Sequence, residues 1–256
     1  HRLAALDGLK VTRSHRVRHS ILAATAASLR TVSPEAALAT LSAVLENATS
    51  WGRDAAIAEG LAQRAAVALE LGRSGEAAVD LGLARVTLNR VPDRPFRDRL
   101  EVAILSTESD LYRTAAPEAS IAAATRAIAI IEQRRDRLRL AQLNLRLASA
   151  NIVWGNLTAA EAALDRGLSA FNEERATLSD EGRVSTQDES WRLFDTAVQL
   201  AIRKGDYPRA FALAEQARTR SLAESRSPAA GRSLKQVQDS LGARDALLSR
   251  NQFDDE

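Results

Sequence analysis

The amino-acid sequence predicts an all-α protein, a right-handed solenoid of about five helical hairpins followed by a short linker and strand. Three observations lead to this prediction. Alanine makes up about a fifth of the 256 residues and aromatic residues only 4%, a composition that favours closely packed helices over a sheet. Small residues recur at the spacing of one helical face, and glycine or proline separates the helical segments.

A recurring pattern of small residues predicts where the hairpins lie. A turn residue is followed five positions later by a small residue, and then by small or apolar residues four and seven positions further on. Glycine adopts a positive φ at low cost and suits the turn, whereas the later residues form a stripe that lets the paired helix approach closely. The pattern occurs at Gly72, Ala77, Leu81 and Ala84; Ala115, Ser120, Ala124 and Ala127; Gly155, Ala160, Leu164 and Gly167; Gly205, Ala210, Ala214 and Ala217; and, without the glycine, at Ala37, Leu41 and Val44.

Hydrophobic periodicity and capping residues predict the helices one by one. Proline stands near the start of three of them, at Pro34, Pro117 and Pro208, where its missing N–H leaves no helical hydrogen bond unmade. The predicted helices span Val17–Arg30, Pro34–Ala48, Asp54–Leu71, Gly75–Asn89, Phe96–Thr114, Pro117–Arg134, Arg137–Trp154, Thr158–Ala176, Ser190–Lys204 and Tyr207–Arg226.

Breaks in this pattern predict the loops and the domain organisation. Val91–Pro95 separates two hairpins, and the polar segment Leu178–Glu189 is predicted to be a loop between helices. A Ser-, Pro- and Gly-containing linker at Ser225–Arg232 precedes a short helix at Val237–Leu241 and a strand at Ala246–Phe253. The sequence therefore predicts a repeat array over residues 1–226, and a linker with the start of a second domain over residues 227–256.

Charge and hydropathy narrow the classes of partner. The 35 basic and 33 acidic residues leave a net charge of +2, which gives no strong field for nucleic acid. No run of 18 apolar residues occurs, so no membrane-spanning helix is predicted. We therefore expect neither a nucleic-acid nor a membrane partner, and a cytoplasmic location.

The motifs predict no catalytic residue, metal ligand or cofactor. The absence of cysteine excludes disulfides, thiolate metal sites and a cysteine nucleophile within these residues, and no phosphate-binding glycine loop or nucleophile elbow occurs. His15 and His19 lie four residues apart, the spacing of a helical metal-binding pair. The surrounding arginines at positions 13, 16 and 18 would repel a cation, so surface histidines are expected instead.

The segment Gly205–Phe211 (GDYPRAF) followed by Glu215–Leu222 (EQARTRSL) resembles the last repeat before a CHAT domain, the caspase-like domain found with tetratricopeptide (TPR) repeats. The tail Ser233–Gln238 (SLKQVQ), with the leucines that follow it, is similar to the lead-in and first strand of that domain. The resemblance implies a TPR-like helical array that controls a C-terminal cysteine protease with a His–Cys dyad. Because the chain has no cysteine, we expect the regulatory half of such a protein and no enzymatic activity of its own.

In a solenoid, the first helices of successive hairpins line a concave groove, which predicts the partner-binding surface. Its mixed polar residues suit an extended peptide or protein segment, or the chain's own C-terminal domain beyond Glu256. The alternative is a stand-alone TPR scaffold, or the sensor region of a signalling ATPase or transcription regulator. The residues predicted to line the groove are Glu59, Ser109, Arg113, Gln142, Ser149, Arg192, Asp195 and Gln199.

Overall fold

The computed structural model describes residues 14–133, 137–177 and 187–223, and among them it contains α-helices and no strand. The all-α class is therefore confirmed for these residues. The helices are α1 (His15–Arg30), α2 (Pro34–Trp51), α3 (Asp54–Glu70), α4 (Ser74–Leu88), α5 (Arg94–Tyr112), α6 (Pro117–Glu132), α7 (Arg137–Trp154), α8 (Leu157–Thr177), α9 (Gln187–Arg203) and α10 (Tyr207–Ala223).

The helix boundaries follow the predicted ones within a few residues, with two differences. The helix α2 continues to Trp51 instead of ending at Ala48, and α9 begins at Gln187, inside the predicted loop. The prediction that 187–189 belong to a loop is thus wrong. The remainder of that loop at 178–186, the predicted linker, the short helix at 237–241 and the strand at 246–253 lie outside the described residues.

The chain divides into two compact units, residues 1–177 and 178–256. In the first unit, consecutive helices pack as pairs: α1 with α2, α3 with α4, α5 with α6, and α7 with α8. Each later pair packs on the one before it, because α3 contacts α2, α5 contacts α3 and α4, and α7 contacts α5 and α6. This stacking of neighbours in chain order is the packing of an α-solenoid. In the second unit, α9 packs against α10.

Among the described helices, four end in the same left-handed glycine turn. Gly52, Gly72, Gly155 and Gly205 have φ between 67° and 85°. The N–H of the residue after each glycine donates to the carbonyl oxygen five positions earlier, at 2.8–3.3 Å, the hydrogen bond of a Schellman motif. The predicted role of Gly72, Gly155 and Gly205 is confirmed, and Gly52 adds a fourth turn that the repeat pattern did not mark.

The predicted stripe of small residues is buried in the helix pairs. Its first position is held by Ala37, Ala77, Ser120 and Ala160, each with 0% of its surface exposed, and by Ala210, which is also buried. At this first position, the paired helices therefore meet through covered side chains of alanine or serine size. The predicted stripe is confirmed for α2, α4, α6 and α8, whose later stripe positions are buried as well, whereas Ala214 and Ala217 of α10 are only half-buried.

The turn at Gly72 gives a testable prediction. Replacing Gly72 by Ala places a Cβ at a positive φ, and we expect a loss of about 1 kcal/mol in the free energy of unfolding. Gly75, in the first turn of α4, is the matched control, because a Cβ there meets no atom within 4 Å and the backbone is helical. Gly75→Ala should leave the stability unchanged or raise it. Equal losses for both variants in urea denaturation would contradict the assigned role of Gly72.

Candidate partner-binding face

The groove residue predicted on α5, Ser109, is buried in the first unit. Ser109 is only 1% exposed, and Val102 and Leu105 on the same side of the helix are buried as well. The reason is that α5 packs against four other helices, α3, α4, α6 and α7. Ser109 therefore lies in the interior and not on a surface that a partner could reach.

Ser109 has an internal role in the contact between α5 and α6. The Ser120 hydroxyl donates to the Ser109 carbonyl oxygen at 2.7 Å, and the two hydroxyl oxygens are 3.0 Å apart. Because the Ser120 proton is used in the first bond, the Ser109 hydroxyl donates in the second. Ser120 occupies the stripe position that alanine holds in the other helix pairs, and this pair of hydroxyls satisfies the polar group introduced there.

Arg113, the second groove residue predicted near α5, belongs to an accessible charged cluster. One oxygen of Asp110 lies 3.5 Å from Arg113 Nη1, and the other accepts a hydrogen bond from Arg146 Nε of α7 at 3.0 Å. All three side chains are about one third to one half exposed. Two cations share one carboxylate, so this triad of Asp110, Arg113 and Arg146 carries a net charge of +1.

The triad aligns one face of α7 with the C-terminal turn of α5. Gln142, Arg146, Ser149 and Val153 recur every three or four residues and share that face. Gln142 and Ser149 are half-buried, and the Ser149 hydroxyl donates to the Leu145 carbonyl oxygen of its own helix at 2.9 Å. The exposed Val153 extends the same face by one further turn. The structure thus joins Arg113 to Arg146 through Asp110, and Gln142 and Ser149 share the helix face of Arg146. The sequence prediction missed Asp110 and Arg146.

The remaining predicted groove residues lie elsewhere. Glu59 is half-buried on α3 of the first unit. In the second unit, Arg192, Asp195 and Gln199 recur at helical spacing on the polar side of α9. The Gln199 amide donates to the Asp195 carboxylate at 3.0 Å, and Arg192 is exposed. The opposite side of α9 is apolar and buried. The polar side therefore faces solvent.

Two buried carboxylates join helices in the first unit through paired arginines. Arg64 of α3 donates to both oxygens of Asp80 of α4, each at 2.7 Å, and Arg85 of α4 pairs with Glu108 of α5. Asp80 is 4% exposed and Glu108 is 6% exposed, so each carboxylate depends on its guanidinium partner.

These hydrogen bonds raise the pKa of both arginines. The hydrogen bond to Asp80 raises the pKa of Arg64, and that to Glu108 raises the pKa of Arg85, both against the opposing effect of burial. A raised pKa means that the fold stabilises the cation. This stabilisation is complete at every pH below the ordinary arginine pKa and is lost only as the pH rises above it.

The two candidate histidines pack against α2. His15 Nδ1 lies 3.2 Å from Asn47 Oδ1, and the ring of His19 lies 6.1 Å from that of Trp51. His15 is exposed as predicted, and His19 is half-buried. In the part of the chain that the structure describes, no three potential metal-ligating side chains come together, and no helix is both long and apolar enough to cross a bilayer.

A shallow depression of about 260 Å³ opens between the start of α5 and the end of α6. Charges of both signs surround it, and Glu101 and Arg126 form an ion pair across it. Its lining residues are Arg94, Arg97, Asp98, Glu101, Arg126, Ile130 and Gln133.

Comparison with protein-family models and with curated proteins finds no match for this chain.

The Ser109–Ser120 contact gives a second testable prediction. Ser120→Ala removes the acceptor of the Ser109 hydroxyl inside the protein, and we expect it to cost about 1 kcal/mol of unfolding free energy. Replacing both serines by alanine removes both polar groups, so the double variant should be nearly as stable as the parent chain. Ser106→Ala is the control, because the Ser106 hydroxyl bonds only its own helix, at the Val102 carbonyl oxygen. A double variant whose loss equals the sum of the single losses would contradict this assignment.

Proposed function

We propose that this chain is a protein-interaction module, a right-handed TPR-like solenoid of about five hairpins that binds an extended peptide or protein segment on its first helices. The observation that carries the proposal is the repeated unit. Four helices end in the same left-handed glycine turn, and in the first unit the helix pairs stack in chain order through a buried stripe of small residues.

The chemistry of the accessible face indicates the kind of partner. The triad of Asp110, Arg113 and Arg146 retains one uncompensated positive charge, and both guanidinium groups are partly exposed. Guanidinium groups bind carboxylates through two parallel hydrogen bonds. The exposed Tyr112 and Val153 lie on the same helix ends and offer apolar contact. We therefore infer a segment in which an acidic residue or a chain-terminal carboxylate stands next to apolar residues.

We propose a regulatory role, because residues 205–222 resemble the last repeat before a CHAT domain. In that plan, binding of a partner would displace α10, the last described helix, and the displacement would bias a caspase-like cysteine protease between two states. The module itself contributes recognition and no catalytic residue.

The sequence that the gene encodes after Glu256 tests the regulatory part of this proposal. A histidine and a cysteine embedded in alternating strands and helices would support control of a protease. A stop codon directly after Glu256 would refute it and favour the stand-alone scaffold.

Recognition itself can be tested with the purified chain and a phage-displayed library of random peptides. We expect the selected peptides to combine an acidic residue with apolar neighbours. Arg113→Glu should weaken their binding by about tenfold or more, because it reverses the charge that meets the acidic group. Arg16→Glu on α1 makes the same charge change at another exposed position and should leave the affinity unaltered.

Failure to select any peptide would contradict the recognition function. Equal losses of affinity for Arg113→Glu and Arg16→Glu would contradict the placement of the binding face, because the effect would then come from the net charge of the chain.

A further inference from the structure

The outward side of α4 carries an unusual row of exposed apolar side chains. Val79 is 63% exposed, Leu83 is 51% exposed and Val86 is 56% exposed. These residues lie at intervals of four and three, so they form one continuous stripe along the helix. Contacts within the first unit leave this side of α4 uncovered, and it is separate from the face that carries Arg113 and Arg146.

A glycine in the middle of the stripe has no explanation inside the monomer. Gly82 lies in the helix interior, where glycine costs about 1 kcal/mol relative to alanine. A Cβ built on Gly82 meets no atom within 4 Å, so the fold itself leaves room for a side chain at this position. Glycine on an exposed helix face does permit a second backbone or a large side chain to come close.

The stripe is complementary to itself when two copies of α4 cross in opposite directions. Its residues are placed symmetrically about a point between Gly82 and Leu83. About that point Val79 of one copy meets Val86 of the other, and Leu83 lies over the space left by Gly82. A two-fold axis repeats each of these contacts, as in the interface of a symmetric homodimer.

Charges at the two ends of the stripe select the antiparallel arrangement. Glu76 lies on α4 three residues before Val79, and Arg90 lies in the turn two residues beyond the end of α4. Their side chains are 62% and 65% exposed, and within the described residues their ion-pair contacts, with Arg73 and Asp54, are at 3.9 Å. An antiparallel pair places the Glu76 end of one helix next to the Arg90 end of the other, whereas a parallel pair would place like charges side by side.

We propose that the α4 stripe, formed by Glu76, Val79, Gly82, Leu83 and Val86 and followed by Arg90 in the next turn, is a docking surface for a second copy of this chain, with the two α4 helices antiparallel. A single helix of 15 residues buries less than the roughly 800 Å² per partner of a standard stable interface. The dimer is therefore weak, and it would place two peptide-binding faces in one particle and strengthen binding to a bivalent partner.

Sedimentation velocity of the purified chain from about 1 µM to about 1 mM tests the proposal. The expected result is a concentration-dependent shift from monomer to dimer. Leu83→Asp should weaken the association by about tenfold or more, because a carboxylate would be buried against the partner helix. Val32→Asp is the matched control, since Val32 is even more exposed and lies in a different part of the unit. The Val32→Asp variant should dimerise like the parent chain.

A charge exchange tests the antiparallel geometry separately. Glu76→Arg and Arg90→Glu should each weaken the dimer, since each places like charges opposite one another. The double variant should restore it. A chain that is monomeric at every concentration overturns the proposal, as do a dimer that survives Leu83→Asp and a double variant that stays as weak as the single ones. Circular dichroism of each variant establishes that the helices are retained.

Discussion

The structure depends on one packing constraint, the close approach of paired helices through side chains of alanine size. Alanine or serine holds the first stripe position of every pair, so the two helices meet through a small residue close to the short connection between them. In three pairs the chain reverses through a left-handed glycine, at positions 72, 155 and 205. Gly52 makes the same turn between α2 and α3, which belong to different pairs.

Alanine contacts bury little apolar area for each residue, and charged pairs add directional contacts between the helices. The Arg64–Asp80 pair is bidentate and links α3 to α4, while Arg85 and Glu108 link α4 to α5. A bidentate pair forms only when the two helices have one particular register. Removing one partner would leave a carboxylate buried without compensation. The first unit is therefore fixed in register by arginines, whose pKa values the pairing raises.

The sequence predicted the helices, three of the four glycine turns and the buried stripe, because each depends on residues a few positions apart. It could not predict that Ser109 is buried, since that follows from the four helices that surround α5. Nor could it find the contact between Asp110 and Arg146, which lie 36 residues apart and are joined only by the packing of α5 on α7. The two groove residues predicted on or next to α5 therefore differ in exposure, because Ser109 is buried whereas Arg113 is accessible beside Asp110 and Arg146.

The central claim is that the paired helices must meet through small side chains. Two alanine-to-leucine substitutions on α8 test it most directly. Ala160 is completely buried in the stripe, whereas Ala162, two positions later on the same helix, is exposed. We expect Ala160→Leu to lower the free energy of unfolding by about 1–3 kcal/mol in chemical denaturation. Ala162→Leu should change it by less than about 0.5 kcal/mol. Equal effects at the two positions would mean that close helix contact does not hold this fold together.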